Sequence, residues 1–149
     1  FYYGCLALFI LPFGSMLLPQ SISLAAISWP RFTLIFILMN IFHGTVVIWA
    51  ASYIKNMVML GKIWSRILHP AWFLGCFQFS WHMLYALWPK VAYCALLNPV
   101  IYTMEGMRSA LLGQEGYIPF WISCSALSIS IILLAKNAIA NFKKRLDFV

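Results

Sequence analysis

Long apolar stretches with almost no charge constrain this chain more than any other feature. Three of them, residues 32–54, 69–88 and 117–136, reach the roughly 20 residues that a helix needs to cross a bilayer. A fourth, residues 1–18, comes close to that length only if apolar residues precede it, so we expect further spans before Phe1. Because 64% of the residues are hydrophobic and 9% are charged, water cannot be the main solvent of this chain.

The positions of the charges support the same conclusion. Ten lysines and arginines against three acids give a formal charge of +7, which in a soluble protein would suggest a nucleic-acid partner. Here the basic residues stand at the ends of apolar stretches, where membrane proteins place the charges that set their orientation. We therefore expect no nucleic-acid partner. Residues 55–68 are predicted to form a cytoplasmic loop and residues 137–149 a cytoplasmic tail.

Residues 91–113 are long enough to span, but an Asn-Pro pair interrupts them. Asn98 can cap a helix whose first residue is Pro99, and Gly113 is suited to end that helix. The sequence therefore predicts two short helices in place of one long one.

The second of these helices is predicted to have two different faces. Glu105 and Arg108, three residues apart, share a polar face. They could form a substrate or gating site, since ionisable groups near a membrane are functional candidates, or simply a helix-stabilising pair. The helical spacing predicts that the opposite, apolar face contains Val100, Met104, Met107 and Leu111.

The topology follows from counting crossings. If both basic segments face the cytoplasm, the chain between them must cross the membrane an even number of times. The stretches 69–88 and 117–136 supply two crossings, so residues 91–113 must dip in and return. This places seven of the ten basic residues inside: three in the loop, Lys136 at the end of the last span, and three in the tail. The predicted fold is all-α, a polytopic transmembrane helix bundle with a re-entrant helical pair before the last span.

The histidines and cysteines raise the possibility of a haem or metal site. Histidine is the usual haem ligand on membrane helices, but the three histidines are expected at different depths: His43, His69 and His82. No CxxC pair or ligand-like spacing occurs among the cysteines, which are interpreted as small buried hydrophobic residues: Cys5, Cys76, Cys94 and Cys124. The sequence thus favours a chain that carries no metal and no cofactor.

An enzymatic role finds little support. No acid lies close in sequence to a histidine, and neither a GxSxG nor an HExxH pattern occurs. A GxxxxGK[ST] phosphate loop is also absent from the sequence, so the chain is not expected to hydrolyse ATP itself. A non-transporting scaffold or assembly subunit would have the same composition and stays open. The basic tail is read as an orientation signal, with a lipid-binding or partner-binding patch as the alternative.

The segment from residue 55 to residue 149 resembles the membrane subunits of ABC transporters of the ABC-2 permease type. The resemblance rests on three parts in order: the loop NMVMLGKIWSRILHP with the apolar WFLGCFQFSW, then LLNPVIYTMEGMRSALLG, then a last span with a basic tail. The middle part is the most specific, since it is similar to the family's asparagine-proline turn followed by a short helix with an acid and an arginine.

The resemblance implies a six-span permease that dimerises and exports a lipid-linked, glycan or hydrophobic substrate across the bacterial inner membrane. This chain would supply the last four spans, with its C-terminus in the cytoplasm. A separate cytoplasmic ATPase would bind ATP and Mg²⁺, and membrane lipid would surround the spans. External gate candidates are Asn98, Pro99, Glu105, Arg108 and Gly113. A smaller ATPase contact would use Lys55, Asn56, Gly61, Lys62 and Arg66.

Overall fold

The computed structural model describes residues 27–54, 56–113 and 115–146, and the regular elements in these ranges are all helical. The first predicted span, residues 1–18, lies outside the described residues. In chain order the elements are α1 (Trp29–Tyr53), α2 (Met57–Ile63), a π-helical turn (Trp64–Leu68), α3 (His69–Phe73), α4 (Trp81–Leu87), α5 (Pro89–Ala95), α6 (Val100–Leu112) and α7 (Phe120–Leu146).

Two of these helices are long and apolar enough to cross a membrane: α1, and α7 over Phe120–Lys144. Only 17% and 22% of their most apolar windows are buried inside the fold, whereas the core helix of a soluble protein is mostly buried. Large apolar side chains such as Val47 and Trp121 are 66% and 69% exposed. An all-helical chain with two helices able to span is therefore the part of the predicted fold that the structure confirms.

The two long helices pack side by side and run in the same direction. At their N-terminal ends the Arg31 guanidinium lies 5.9 Å from the centre of the Phe120 ring. Towards their C-terminal ends the Tyr53 hydroxyl donates a 2.7 Å hydrogen bond to Asn137 Oδ1, and Asn141 Nδ2 lies 3.3 Å from Ser52 Oγ. Because α1 and α7 are parallel, the chain between them must travel back along the bundle once.

Two separate helical segments make that return journey. The first comprises α2, the π-helical turn and α3; it begins at the end where α1 stops, with Met59 and Ile63 lining the same groove as Trp49 and Tyr53. It finishes close to the middle of the 25-residue α1. At that level the Trp72 ring lies 6.0 Å from the His43 ring.

Helix α6 completes the journey to the other end of the bundle. A β-carbon on Gly106 would lie 2.7 Å from Ile35 Cδ1, and the Ser28 N–H donates to the Ala110 carbonyl at 3.2 Å. Helix α6 therefore runs antiparallel to α1 along its first half. We call the end with Tyr53, Met57 and Lys136 the basic end.

The predicted cytoplasmic loop, residues 55–68, is not a loop where the structure describes it, because residues 57–73 form one continuous helical segment. Asn56 starts the segment by accepting a 2.9 Å hydrogen bond from the Met59 N–H. Pro70 has no N–H to donate and would disrupt a regular α-helix. The π-helical turn immediately before it, closed by the His69 N–H to Trp64 carbonyl bond, accommodates this mismatch.

The predicted span at residues 69–88 is also different, because it is not one helix. Helix α3 ends at Phe73 and α4 begins at Trp81, after an irregular segment at residues 74–80. Cys76 adopts a left-handed conformation with φ of 57°, which no helix continues through. Ser80 then starts α4 by accepting a 3.3 Å hydrogen bond from the Met83 N–H.

Helix α6 packs through a different face from the apolar one predicted for it. Of the four residues predicted on that face only Val100 is buried, and the other three are half-buried. Small residues allow membrane helices to approach closely. The buried residues of α6 include the small residues Thr103, Gly106, Ser109 and Ala110, beside Val100, Ile101 and Glu105.

A leucine at Gly106 should therefore destabilise the bundle. Its side chain would overlap Ile35 and approach Ser123 Cβ, which lies 3.2 Å from the added β-carbon. Overpacking of this kind costs about 1–3 kcal/mol. Gly44→Leu is the matched control, because nothing lies within 4 Å of a β-carbon there. Unfolding of the purified chain by SDS, followed by tryptophan fluorescence, should show a loss for Gly106→Leu alone. Equal stability of the two variants would contradict this packing.

Candidate functional site

Asn98 joins the two helical segments that return along α1. Its side-chain amide Nδ2 donates to the carbonyl of Ala71 in the last turn of α3. Its Oδ1 accepts a 3.1 Å hydrogen bond from the Val100 N–H at the start of α6. The last four carbonyls and the first four N–H groups of a helix have no partner within that helix. One side chain therefore satisfies a backbone group on each side of the break.

The two segments meet with their dipoles aligned. The C-terminal end of α3 carries partial negative charge and the N-terminal end of α6 partial positive charge. This junction lies near the middle of α1, where Trp72 contacts His43. The close approach requires Gly75, because a β-carbon there would lie 2.5 Å from Val100 Cγ1. The two segments thus follow one another along α1, with a break between them near its middle.

Glu105 and Arg108 form an ion pair that the structure buries on one side. Arg108 Nη1 lies 3.0 Å from Glu105 Oε1, and the Glu105 side chain has no exposed surface while that of Arg108 is 22% exposed. The sequence placed both residues on one polar face near the outer surface. The structure instead turns Glu105 into the fold, where an unpaired carboxylate would be costly.

Both partners of this pair use their remaining hydrogen-bonding capacity on the backbone. Arg108 donates to the carbonyls of Phe79 at 3.0 Å and Phe77 at 2.8 Å, in the irregular segment before α4. Glu105 accepts from the Trp81 N–H at 3.0 Å and from the Ile118 N–H at 3.4 Å. We call these two residues and the four backbone groups they bind the clasp.

The clasp holds three separate stretches of chain together: α6, the segment that leads into α4, and the segment that leads into α7. Irregular backbone inside a membrane protein is tolerated only where its polar groups find partners in protein or water. The clasp supplies such partners to two carbonyls and two N–H groups. Glu105 and Arg108 therefore differ from an ordinary i,i+3 surface pair, which contributes a few tenths of a kcal/mol.

The remaining gate candidates mark the two ends of α6. Pro99 immediately precedes α6, which begins at Val100, one residue later than predicted. Gly113 ends it with φ of +99°, a conformation that favours glycine. The sequence therefore located both ends of this helix to within one residue.

Four of the five residues proposed from sequence as an ATPase contact are described, and they are dispersed along the first return segment and its cap. Asn56 is the cap of α2, and Gly61, Lys62 and Arg66 are exposed on α2 and the π-helical turn. Lys55 lies outside the described residues.

The histidines do not converge in the described part of the chain. His43 Nδ1 lies 2.8 Å from the Met39 carbonyl of its own helix. No group of three or more histidine, cysteine or acidic residues in residues 27–54, 56–113 and 115–146 is arranged to hold a metal ion. Cys76 and Cys124 are buried and Cys94 is exposed, each as a free thiol, while Cys5 lies outside the described residues.

Sequence reasoning missed Ala71, Gly75 and Cys76, which lie on the α3 side of the junction with α6. The signal was the glycine in WFLGCFQFS, since a glycine inside an apolar helical pattern marks a break or a close approach of backbones. It also missed the role of Gly106, whose missing side chain admits Ile35.

Comparisons with protein-family models, with curated proteins and with solved structures found no match to this chain.

Replacement of Asn98 tests the junction directly. Asn98→Leu leaves the Ala71 carbonyl and the Val100 N–H without their partner, and each such group costs about 1–3 kcal/mol. We therefore expect a loss of about 2–4 kcal/mol in SDS unfolding. Asn98→Asp keeps the acceptor oxygen but lacks the donor, so its stability should fall between that of Asn98→Leu and that of the parent chain. Asn40→Leu is the control, because Asn40 donates only to the Phe36 carbonyl of its own helix. A similar small loss in all three variants would refute the junction.

The clasp makes a second prediction, on coupling between its charges. Arg108→Gln leaves the Glu105 carboxylate buried without its cation, which should cost about 3–5 kcal/mol. In the double variant Glu105→Gln, Arg108→Gln no charge stays buried, so it should be more stable than Arg108→Gln alone. A double-mutant cycle measured by SDS unfolding checks this. Additive losses would show that the two side chains act independently.

Proposed function

We propose that this chain is the membrane-spanning permease subunit of an ABC-2 type ABC transporter. It forms part of the export pathway for a lipid-linked, glycan or hydrophobic substrate and is powered by a separate ATPase subunit. The observation that carries the proposal is the arrangement around α6, which follows an Asn-Pro break at mid-bundle, carries a partly buried acid-arginine pair and packs against two parallel long helices. These are the residues on which the family resemblance rests.

The direction of the long helices supports the proposed topology. If α1 and α7 both cross from outside to inside, the chain between them crosses once in the opposite direction. The first return segment and α6 together provide that path, with residues 91–113 dipping in through α5 and leaving through α6. An additional crossing by residues 91–113 would have made α1 and α7 antiparallel. The basic end, with Lys136, Lys143 and Lys144, is then cytoplasmic.

Transport requires a shape change, and the broken segment is the place for it. A helix interrupted at its centre can bend there without breaking regular backbone hydrogen bonds. The clasp ties the segments before α4 and α7 to α6, and the proposed external gate consists of α4, α5 and α6. In this role Glu105 and Arg108 are positioning residues that keep the gate intact, and substrate does not touch them.

The proposal includes a bacterial inner-membrane location, a second copy of the chain, and ATP and Mg²⁺ bound by the partner ATPase. Asn56 and Gly61, which are exposed on the first return segment, face the proposed cytoplasmic side and offer a small contact to that ATPase. The exposed apolar surface of α1 and α7 leaves room for lipid and for a partner subunit.

Purification of the affinity-tagged chain from its native membrane in mild detergent tests this function. The result expected is co-purification of a protein with a GxxxxGK[ST] phosphate loop, and ATP hydrolysis by the complex that stops when the lysine of that motif is changed. Recovery of the chain alone, or with bound haem, would contradict the proposal.

The topology predicts the sides from which single cysteines are labelled. Gly61→Cys and Lys143→Cys should react only from the cytoplasmic side, and Lys90→Cys and Glu115→Cys only from the outside. All four positions are exposed in the structure. The measurement is blocking by a membrane-impermeant maleimide in intact cells, with Cys94 replaced by serine and the parent chain as background control. Labelling of positions 61 and 143 from opposite sides would refute the re-entrant arrangement.

A further inference from the structure

A groove between the basic end of α1 and the first return segment has the shape and chemistry of a lipid site. It has a volume of about 200 Å³, and the residues that line it are Trp49, Ala50, Tyr53, Met59, Ile63 and Ile67. Its surface is entirely apolar. An apolar cavity of about 150 Å³ holds a benzene molecule, so this groove accommodates part of an acyl chain.

Two cations flank this groove on the same helical segment. Lys62 precedes the groove residue Ile63, and Arg66 precedes the groove residue Ile67. Lys62 and Arg66 are four residues apart, so they lie on the same side of the segment. Both are exposed, and neither forms a salt bridge within the part of the chain that the structure describes.

Two of the three acids of this chain lie away from that position. Glu105 is committed to the clasp, and Glu115 lies beyond α6, towards the opposite end of the bundle from the basic end. The third acid, Asp147, follows α7 in sequence and lies outside the described residues. The other described cations at the basic end are the exposed lysines of α7, among them Lys136. Among the described residues, the charged side chains at the basic end around the groove are therefore all basic.

The local helix geometry distinguishes this position from a plain helix surface. The π-helical turn Trp64–Leu68 contains Arg66 and Ile67, and single π turns occur frequently at functional sites. Aromatic side chains with polar atoms favour the level of lipid headgroups. Trp49 and Tyr53 supply two of them, with ring centres 5.4 Å apart.

We propose that this groove binds an anionic phospholipid of the leaflet at the basic end, with an acyl chain along Ile63 and Ile67 and the phosphate held by Lys62 and Arg66. Long basic side chains reach from apolar surroundings to a headgroup while their stems stay in contact with apolar surface. The site goes beyond the transport function and does not depend on which substrate is exported. It assigns Lys62 and Arg66 to lipid and leaves Asn56 and Gly61 for contact with a partner.

The test uses quenching of Trp49 fluorescence by lipids with brominated acyl chains. The full-length chain is reconstituted into phosphatidylcholine vesicles that contain a minor fraction of either brominated phosphatidylglycerol or brominated phosphatidylcholine. The signal of Trp49 is the difference between the parent chain and Trp49→Phe. We expect brominated phosphatidylglycerol to quench this signal at a lower mole fraction than brominated phosphatidylcholine.

Two matched double variants separate a specific site from general surface charge. Lys62→Gln, Arg66→Gln should lower the relative affinity for the anionic lipid roughly fivefold for each cation removed. Lys143→Gln, Lys144→Gln removes the same charge at the same end of the bundle and should leave the preference unchanged.

Three results would overturn the proposal. Equal quenching by both lipids in the parent chain would show that the groove does not select charge. A similar loss in both double variants would assign the preference to surface potential. Absence of quenching by either lipid would show that protein covers the groove.

Discussion

A helix that stops in the middle of an apolar bundle leaves backbone carbonyls and N–H groups that must find other partners. In this chain Asn98 meets that demand at the central break, by donating to Ala71 and accepting from Val100. The remainder of the arrangement depends on this junction. It sets where along the bundle α6 begins, and it brings Gly75 against Val100.

The clasp solves the same problem at a second place. Glu105 and Arg108 lie on one helix, yet most of their hydrogen bonds go to the backbone of segments that are not helical. An ion pair that is partly buried contributes little to stability by itself, because desolvation opposes the attraction between the charges. Its value here lies in holding the segments that lead into α4 and α7 against α6.

Much of this organisation was accessible from the sequence, because hydropathy and charge report the solvent of each stretch. The long apolar helices α1 and α7 and the division at Asn98 and Pro99 all follow from such patterns. The break at residues 74–80 did not, since apolar side chains there continue the pattern of a helix while Gly75 and Cys76 interrupt its backbone. Burial of Glu105 was also missed. Its partners are backbone groups of Trp81 and Ile118, and the types of those residues carry no information about such bonds.

The proposed arrangement depends on how deep in the membrane the junction between the first return segment and α6 lies. Nitroxide labels at Leu97, which is 87% exposed beside Asn98, and at Leu112, which is 52% exposed at the far end of α6, report that depth. Their collision rates with oxygen and with a water-soluble nickel complex give it in the reconstituted protein. The label at Leu97 should favour oxygen strongly, as in the bilayer interior, and the label at Leu112 should favour the nickel complex. Equal values at both positions would place α6 flat on the membrane surface and contradict a junction in the bilayer interior.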